Sequence, residues 1–398
     1  MESWFKRTDL NMILGLEELT ERKLLNAMDF IEKANQEDIQ KNIFKSVRER
    51  YLLSNSGVIY DVTNTYLYGK KCSFGKPGHD KEGVKGRPLI QIGLGVTKDE
   101  GIPVFHKTFD GNIHDSKTLH DLITTFRRYG LKSGVLVYDR GITSGRNLAD
   151  INSLDWDTVC GVAINQHIKT FWRPTLRKAS SLDIKDRIQL NDSVFYVTKK
   201  PYSIDGVKGD LYLCFNPRQQ LDLRDYRRSE IVTAQQLKNN GKSIKITLEK
   251  FFNKRGQIIT TALHKAEEFD GYSCIFSTRK ITKSQIVKLY FDKDIVEKAF
   301  RSLKDTIKLR PIRHWLHQRV QAHVFICYLA YLLLSLLKLH LKKLDISPEK
   351  ALSELDSMYK VFLRDTKNNL SLTRIVTLTK KQEKILKAIN PALLKLAT

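Results

Sequence analysis

The run Gly134-Val135-Leu136-Val137-Tyr138 constrains the fold of this chain more than any other stretch. It is apolar at successive positions instead of alternate ones, the pattern of a strand buried inside a central sheet, and it ends on Asp139. The sequence around it supplies the rest of a layered structure. "GVIYDV", from Gly57, is a short apolar strand ending near Asp61. "LIQIGLGVT" and "IPVFHKTFDG" read as a hairpin across the turn signal Lys98-Asp99-Glu100-Gly101. "DSKTLHDLITTFRRYG" predicts a helix with Asp115 or Ser116 as N-cap, an apolar stripe at Leu119, Leu122 and Ile123, and Gly130 as its stop. After the central strand come a short helix, "SGRNLADIN", and a fifth strand, "TVCGVAI". Three strands, helix, strand, helix, strand is the order of an α/β fold with a mixed sheet flanked by helices. It puts Asp61 on the first strand and Asp139 at the end of the fourth.

The flanking regions divide by composition. Residues 1–50 read as helical, with stripes at Leu24, Met28, Ile31 and at Ile39, Ile43, Val47, and with Thr20 as an N-cap. Residues 51–164 hold the first part of the α/β core. Residues 165–265 read as an insertion of short strands, "VFYVTKK", "DLYLCFN", "KSIKITLEKFF" and "QIITTAL", with 20 Lys and Arg against 9 Asp and Glu. The core resumes over 266–343, beginning with the strand "GYSCIFST", and 344–398 form a helical, basic tail.

The whole chain carries a formal charge of +24, spread along its length, which points to a polyanionic partner such as nucleic acid. Five well-separated cysteines without a C-x-x-C pair argue against a zinc site or a disulfide framework and fit a reducing cytosol. No secretory signal opens the sequence, and the apolar run Val324–Leu339 is short for a membrane span and is interrupted by Lys338, so it reads as a core helix. The glycine- and lysine-rich stretch after the first strand lacks the G-x-x-x-x-G-K-S/T pattern, which disfavours a nucleotide cofactor.

The stretch "YFDKDIVEKAFRSLKDTIKLR", 290–310, reads as one amphipathic helix ended by Pro311. Ile295, Ala299, Leu303 and Ile307 form an apolar stripe, while Tyr290, Lys293, Glu297, Arg301 and Lys304 share another face. Glu297 then lies between cations one turn away on each side, which favours its charged form. Its two readings are an ion-paired solvated helix and a metal-binding carboxylate among phosphate-holding cations. Two aspartates on neighbouring strands and a glutamate on a packing helix would together offer oxygen ligands suited to Mg2+. Paired ions of that kind activate the attacking oxygen and stabilise the leaving oxygen in phosphodiester displacement.

With these residues in view, the sequence resembles the DDE transposases of bacterial and archaeal insertion sequences, which have an RNase H-like catalytic core. The resemblance runs from about Gly57 to Leu337 and rests on "YDVTNTY", "GRPLIQIGLGVTKDEGIPVFHKTFDGNIHDSKTL", "LVYDRGITSGRNL" and "VEKAFRSLKDTIKLRPIRHWLHQRVQAHVFICYLAYLL". In the subgroup with a long β insertion, the helix carries a Y-x2-R-x3-E-x6-K signature. Tyr290, Glu297 and Lys304 match it, and Lys293 replaces the arginine, keeping the charge but losing the bidentate fork.

The resemblance implies Asp61, Asp139 and Glu297 as ligands of two Mg2+ ions, for which Mn2+ substitutes, and Tyr290, Lys293 and Lys304 as contacts to DNA phosphate. Arg301 shares their face. It also implies metal-dependent cleavage of double-stranded DNA at element ends, transfer of the freed 3′-OH to target DNA, and a homodimer that joins two ends. A cytoplasmic, nucleoid-associated protein without membrane or nucleotide cofactor is expected. Because related transposases carry a larger DNA-reading domain at the front, the brief N-terminal region implies a chain that begins late.

Several residues keep two readings. Asn112 and Asp115 line the site, or Asp115 caps its helix; Arg140 contacts DNA or pairs with a carboxylate. Phe171 and Trp172 stack on an unpaired base or are buried. His314 and His317 lack a third ligand and read as surface residues. Two other functions compete: a non-catalytic DNA-binding regulator of transposition, and an RNase H-like nuclease that cuts without joining.

Overall fold

In a computed structural model, residues 2–397 are described except 55, 70, 82, 179–182, 292, 366, 368 and 369. Nine strands form the main sheet: β1 (Gly57–Tyr66), β2 (Leu89–Thr97), β3 (Pro103–Asp110), β4 (Gly134–Tyr138), β5 (Trp156–Val162), β6 (Arg187–Leu190), β7 (Ser193–Ile204), β8 (Val207–Phe215) and β9 (Tyr272–Ser277); the tail expected to be helical instead also holds an antiparallel pair of strands, Lys360–Asp365 and Leu370–Ile375. The chain divides into two compact units. One comprises 1–54, 62–113 and 295–398, the other 55–61 and 114–294, so β1 is common to both.

In the first unit the strand order is β3-β2-β1, with β2 and β3 an antiparallel hairpin as the sequence leads one to expect. The helix His317–Leu341 packs against β3 and against the helix Glu21–Lys33, whose N-cap is Thr20 accepting from the Lys23 backbone N–H. Its composition and length would suffice to cross a membrane, but Val320, Val324, Phe325 and Tyr328 are buried inside this unit. His106, on β3, lies in the same core. Its ring stacks on Tyr328 with 4.6 Å between centroids, and Gln40 Oε1 accepts its backbone N–H at 3.0 Å and lies 2.9 Å from Nδ1.

In the second unit the order is β1-β4-β5-β9-β8-β7-β6. β1, β4 and β5 are parallel and the remainder antiparallel, so the sheet is mixed. β4 is the covered strand its composition demands: Val135, Leu136, Val137 and Tyr138 are all at most 1% exposed. The helix Asp115–Arg128 buries Leu119, Leu122 and Ile123, but its N-cap is His114, whose Nδ1 accepts the Ser116 backbone N–H, not Asp115 or Ser116.

The region 165–265 departs from the expected run of strands. β6 to β8 form an antiparallel meander, whereas "KSIKITLEKFF" and "QIITTAL" contribute the helices Ile246–Glu249 and Thr260–Glu267. Between them and β8 runs the helix Pro217–Asn239, capped by Asn216 and entered by Pro217. β-Branched runs gave the strand reading, but Leu248, Phe251 and Phe252 instead pack with Ile231 and Ala234 of the long helix. Its positive charge is also partly internal. Arg227 bonds Asp270, Arg228 bonds Glu267, and Arg173 bonds Glu268, each bidentate, and those acids lie just beyond residue 265.

Burial lowers the pKa of His106 to about 3, against an ordinary value of 6.5. The folded chain therefore holds this imidazole neutral, and its contribution to stability is complete above the ordinary value and lost as the pH falls from there toward 3. His106→Phe, which keeps a ring on Tyr328, should flatten the acid loss of stability by about 1.4 kcal/mol per pH unit between about pH 6 and pH 4. Urea unfolding as a function of pH measures this, and a slope equal to that of the parent protein would contradict it.

Candidate active site

The register of β1 and β4 carries two carboxylates to one place. These strands pair in parallel with Gly57 opposite Val135 and Tyr60 opposite Tyr138. Continued by one residue, that register sets Asp61 of β1 level with Asp139, which directly follows β4. Neighbouring strands are about 4.8 Å apart and in-register residues of a parallel pair project to the same face. Tyr60 and Tyr138 are wholly buried, and the next residues turn to the opposite, half-open face, where Asp61 and Asp139 are both partly exposed.

Asp139 is held by two side chains from the helical segment that follows β9. The hydroxyl of Tyr290 donates to Asp139 Oδ1 at 2.9 Å, and Lys293 Nζ lies 3.0 Å from the same oxygen. The Lys293 ammonium also sits 4.9 Å from the centroid of the Tyr290 ring. Burial alone would raise the Asp139 pKa, but the charge and hydrogen bond of Lys293, the Arg140 backbone N–H and the Tyr290 hydroxyl outweigh it and bring it below the ordinary value. Burial and the negative charge of Asp139 push the Tyr290 phenol far above its ordinary pKa, so it remains a proton donor to the carboxylate.

That contact is possible because residue 161, on β5, is glycine. A Cβ there would fall 2.3 Å from the Tyr290 hydroxyl oxygen and 3.0 Å from the Arg140 backbone nitrogen. The loop after Asp139 is tied down by neighbours: Thr143 Oγ1 donates to the Gly161 carbonyl at 2.8 Å, and Asn147 Nδ2 donates to the carbonyls of Ile142 and Ser116. Asp115, whose side chain was expected either to cap or to line the site, approaches this loop, with Oδ2 3.6 Å from the position of a Cβ on Gly141. Thr143, Asn147 and Gly161 were not singled out in the sequence. A glycine inside the apolar strand "TVCGVAI" was the available signal, because such a glycine marks a close approach.

The single helix expected over 290–310 is two. Lys283–Phe291 buries Ile286, Val287 and Tyr290, and Asp294–Arg301 buries Val296, Ala299 and Phe300; Asp292 lies outside the described residues. Residues Ser302–Thr306 then wind as a π-helix. Tyr290 and Lys293 consequently do not share a helix with Glu297, and Lys293 serves Asp139. Glu297 is exposed on Asp294–Arg301 in the first unit, as is Arg301. Lys304, in the π-wound turn, donates to Thr63 Oγ1 at 2.7 Å, on the portion of β1 that belongs to the same unit.

Other candidates resolve by burial. Trp172 is 0% exposed, so of its two readings packing holds and base stacking is excluded. The Arg140 side chain is exposed and its backbone N–H serves Asp139. His314 and His317 turn to different partners, the ring of His323 and the ring of Phe74.

Among the described residues no group of three His, Cys, Asp or Glu side chains is assembled to hold a metal ion. The pair Asp61 and Asp139 nevertheless fits a hard divalent ion, since Mg2+ is commonly held by one or two carboxylates together with substrate phosphates. The Lys293 ammonium on Asp139 shows that this carboxylate already attracts a cation.

Comparison with known proteins bears on this arrangement. A family model described as the transposase DDE domain matches residues 53–333. No curated protein matches the sequence. The structure is similar to that of the piggyBac transposase synaptic complex with hairpin DNA, with 10% identity and a TM-score of 0.40, over 84% of this chain and 51% of that one. It is also similar to the Mos1 transposase paired-end complex with the left transposon end, at 13% identity and a TM-score of 0.20, over 36% of this chain and 43% of that one. A Mos1 mariner paired-end complex with Mn matches at 16% identity and a TM-score of 0.19, over the same shares. The chain thus spans about half the length of the piggyBac chain and less of the Mos1 chains.

A Cβ on residue 161 would push Tyr290 off Asp139. Gly161→Ala should therefore destabilise the protein by about 1–3 kcal/mol. Adding Tyr290→Phe, which removes the clashing oxygen, should recover part of that loss. A urea-unfolding double-mutant cycle should give a coupling of about 1 kcal/mol, and strictly additive effects would refute the contact.

Proposed function

We propose a DNA-rearranging chemistry for this chain from a firm premise: it belongs to the transposase DDE domain family, whose model covers residues 53–333. In this reading the protein hydrolyses a phosphodiester at each end of a mobile element and then joins the freed 3′-OH to target DNA. In the first step a water oxygen bonds to phosphorus and the bond to the 3′ oxygen breaks, that oxygen leaving as a hydroxyl. In the second, the 3′ oxygen attacks a target phosphodiester, and a target 3′-OH is released in exchange. No covalent bond to the protein is required.

The observation that carries the reading is the parallel register of β1 and β4, which brings Asp61 level with Asp139 just past the end of β4, with Asp139 oriented by Tyr290 and Lys293. Asp61, Asp139 and Glu297 are proposed to hold two divalent ions, Mg2+ or Mn2+, which when bound polarise the attacking and leaving oxygens. The chain's own groups do the remainder. Tyr290, protonated at any physiological pH, fixes the orientation of the Asp139 carboxylate. Lys293, paired with Asp139 in the absence of DNA, offsets the charge of that carboxylate and is the cation placed to hold a DNA phosphate beside it. As a point charge, it binds that phosphate without the forked geometry of arginine. Lys304 and exposed Arg301 and Arg140 add positive charge for the DNA backbone. Two copies, one on each element end, and a cytoplasmic, nucleoid-associated location complete the proposal.

The reading is tested by incubating the protein with a labelled duplex carrying a free 3′-OH, a supercoiled plasmid and Mg2+ or Mn2+. Labelled plasmid should form, and Glu297→Gln should reduce it by about 10³-fold or more, the scale for losing an electrostatic group of the transition state, with DNA affinity nearly unchanged. Cleavage without joining would identify a nuclease, and equal losses of binding and reaction would remove Glu297 from the chemistry.

A further inference from the structure

Two loops of the first unit are laced together by rings and cations that the proposed reaction does not use. One follows β1 and contains Tyr68, Lys71 and Phe74; the other precedes the helix His317–Leu341 and contains Arg313 and Trp315, with His317 at the helix start. Their backbones meet at a parallel bridge between Leu67 and Ile312, where the Tyr68 N–H donates to the Ile312 carbonyl at 2.8 Å and the Ile312 N–H to the Tyr66 carbonyl at 3.3 Å. Leu67 and Ile312 are buried, so the bridge is anchored in the core.

From that anchor the side chains pair across the loops three times. Arg313 lies over the Tyr68 ring at 6.0 Å, Lys71 over the Trp315 ring at 5.6 Å, and His317 stacks on Phe74 at 3.7 Å. Ser73 Oγ lies 3.0 Å from His317 Nδ1 and adds a polar tie to the third pair. Phe74 is buried and closes the row on the inside. The outer two rings are open: Tyr68 is 74% and Trp315 58% exposed. Each open ring thus carries a cation of the other loop beside it, a pairing of π-face and positive charge at the surface.

We infer that Tyr68 and Trp315 form a stacking platform for unpaired nucleobases of DNA, with Lys71 and Arg313 receiving the adjoining phosphates. The chemistry selects this occupant. An acidic peptide would need the cations but not the rings, and a methylated ammonium would need the rings without cations upon them. A base offers a π-face to a ring and carries a phosphate within reach of the cation beside it, and base–aromatic stacking tolerates any base. Paired DNA hides its base faces inside the duplex, so the platform distinguishes unpaired from paired strands. The inference deepens the proposed function, and it rests on that reading for its DNA partner. It also locates the base-stacking aromatics on the loops around Tyr68 and Trp315, where the sequence pointed to the insertion and to Trp172, which is enclosed.

The test compares a labelled blunt duplex with the same duplex bearing a short run of unpaired thymidines, by fluorescence anisotropy on the full chain. The wild-type protein should prefer the tailed duplex. Trp315→Ala should weaken tailed binding by about 5-fold or more while leaving blunt binding unchanged, and Trp315→Phe should restore most of the preference. A spectroscopic readout is independent of affinity. In a Trp4→Phe background the remaining tryptophans besides Trp315 are the buried Trp156 and Trp172, so oligothymidine should quench the exposed emission of Trp315. Equal affinity for both duplexes, equal losses on both in Trp315→Ala, or no quenching would overturn the platform. Failure of the wild-type protein to bind either duplex would instead overturn the DNA reading on which it rests.

Discussion

The register between β1 and β4 is the constraint on which the second unit depends. The side chains of β4 are apolar apart from the Tyr138 hydroxyl, and Val135 to Tyr138 are buried, so a slip of one residue would turn Tyr60 and Asp61 to the wrong sides of the sheet. With Tyr60 beside Tyr138 in the interior, Asp61 and Asp139 must stand together on the opposite face. Hydrophobic burial of neighbours therefore places two carboxylates that repel one another. A nearby cation offsets that repulsion, and in this structure Lys293 supplies one on the Asp139 side.

The end of one helix at Phe291 and the start of the next at Asp294 give Lys293 that task. On one continuous helix its charge would have lain a turn from Glu297. With one helix ending at Phe291 and the next beginning at Asp294, the segment bearing Tyr290 packs onto the sheet of the second unit and brings both its hydroxyl and the Lys293 ammonium to one oxygen of Asp139. Gly161 allows the approach, and Thr143 and Asn147 keep the loop beneath it in place. The same stretch that reads as one amphipathic face in sequence is thus divided between serving Asp139 and presenting Glu297.

Much of this was legible in residues. The apolar run of β4, the hairpin of β2 and β3, the Thr20 cap and the stripe Leu119, Leu122, Ile123 follow from local pattern, and the structure repeats them. The division into the helices Lys283–Phe291 and Asp294–Arg301 was not, because the 3.6-residue period runs on from one to the other and only tertiary packing separates the face of Val287 and Tyr290 from that of Val296 and Phe300. The region 165–265 misled for a related reason: β-branched runs such as "SIKIT" have strand propensity, yet its last two residues open the short helix Ile246–Glu249, and Leu248, Phe251 and Phe252 that follow pack on Ile231 and Ala234. Its charge count also stopped short of Glu267, Glu268 and Asp270, which neutralise three of its arginines. The Tyr68–Trp315 platform joins loops far apart in the chain and has no local signature.

The central claim is that Asp61 and Asp139 form one cation-binding pair. Mn2+ binding to the DNA-free protein, followed by electron paramagnetic resonance, tests it without recourse to catalysis. The account predicts a bound population that Asp61→Asn and Asp139→Asn each abolish, and that Lys293→Gln strengthens by removing the competing ammonium. Mn2+ binding that survives both aspartate substitutions would contradict it.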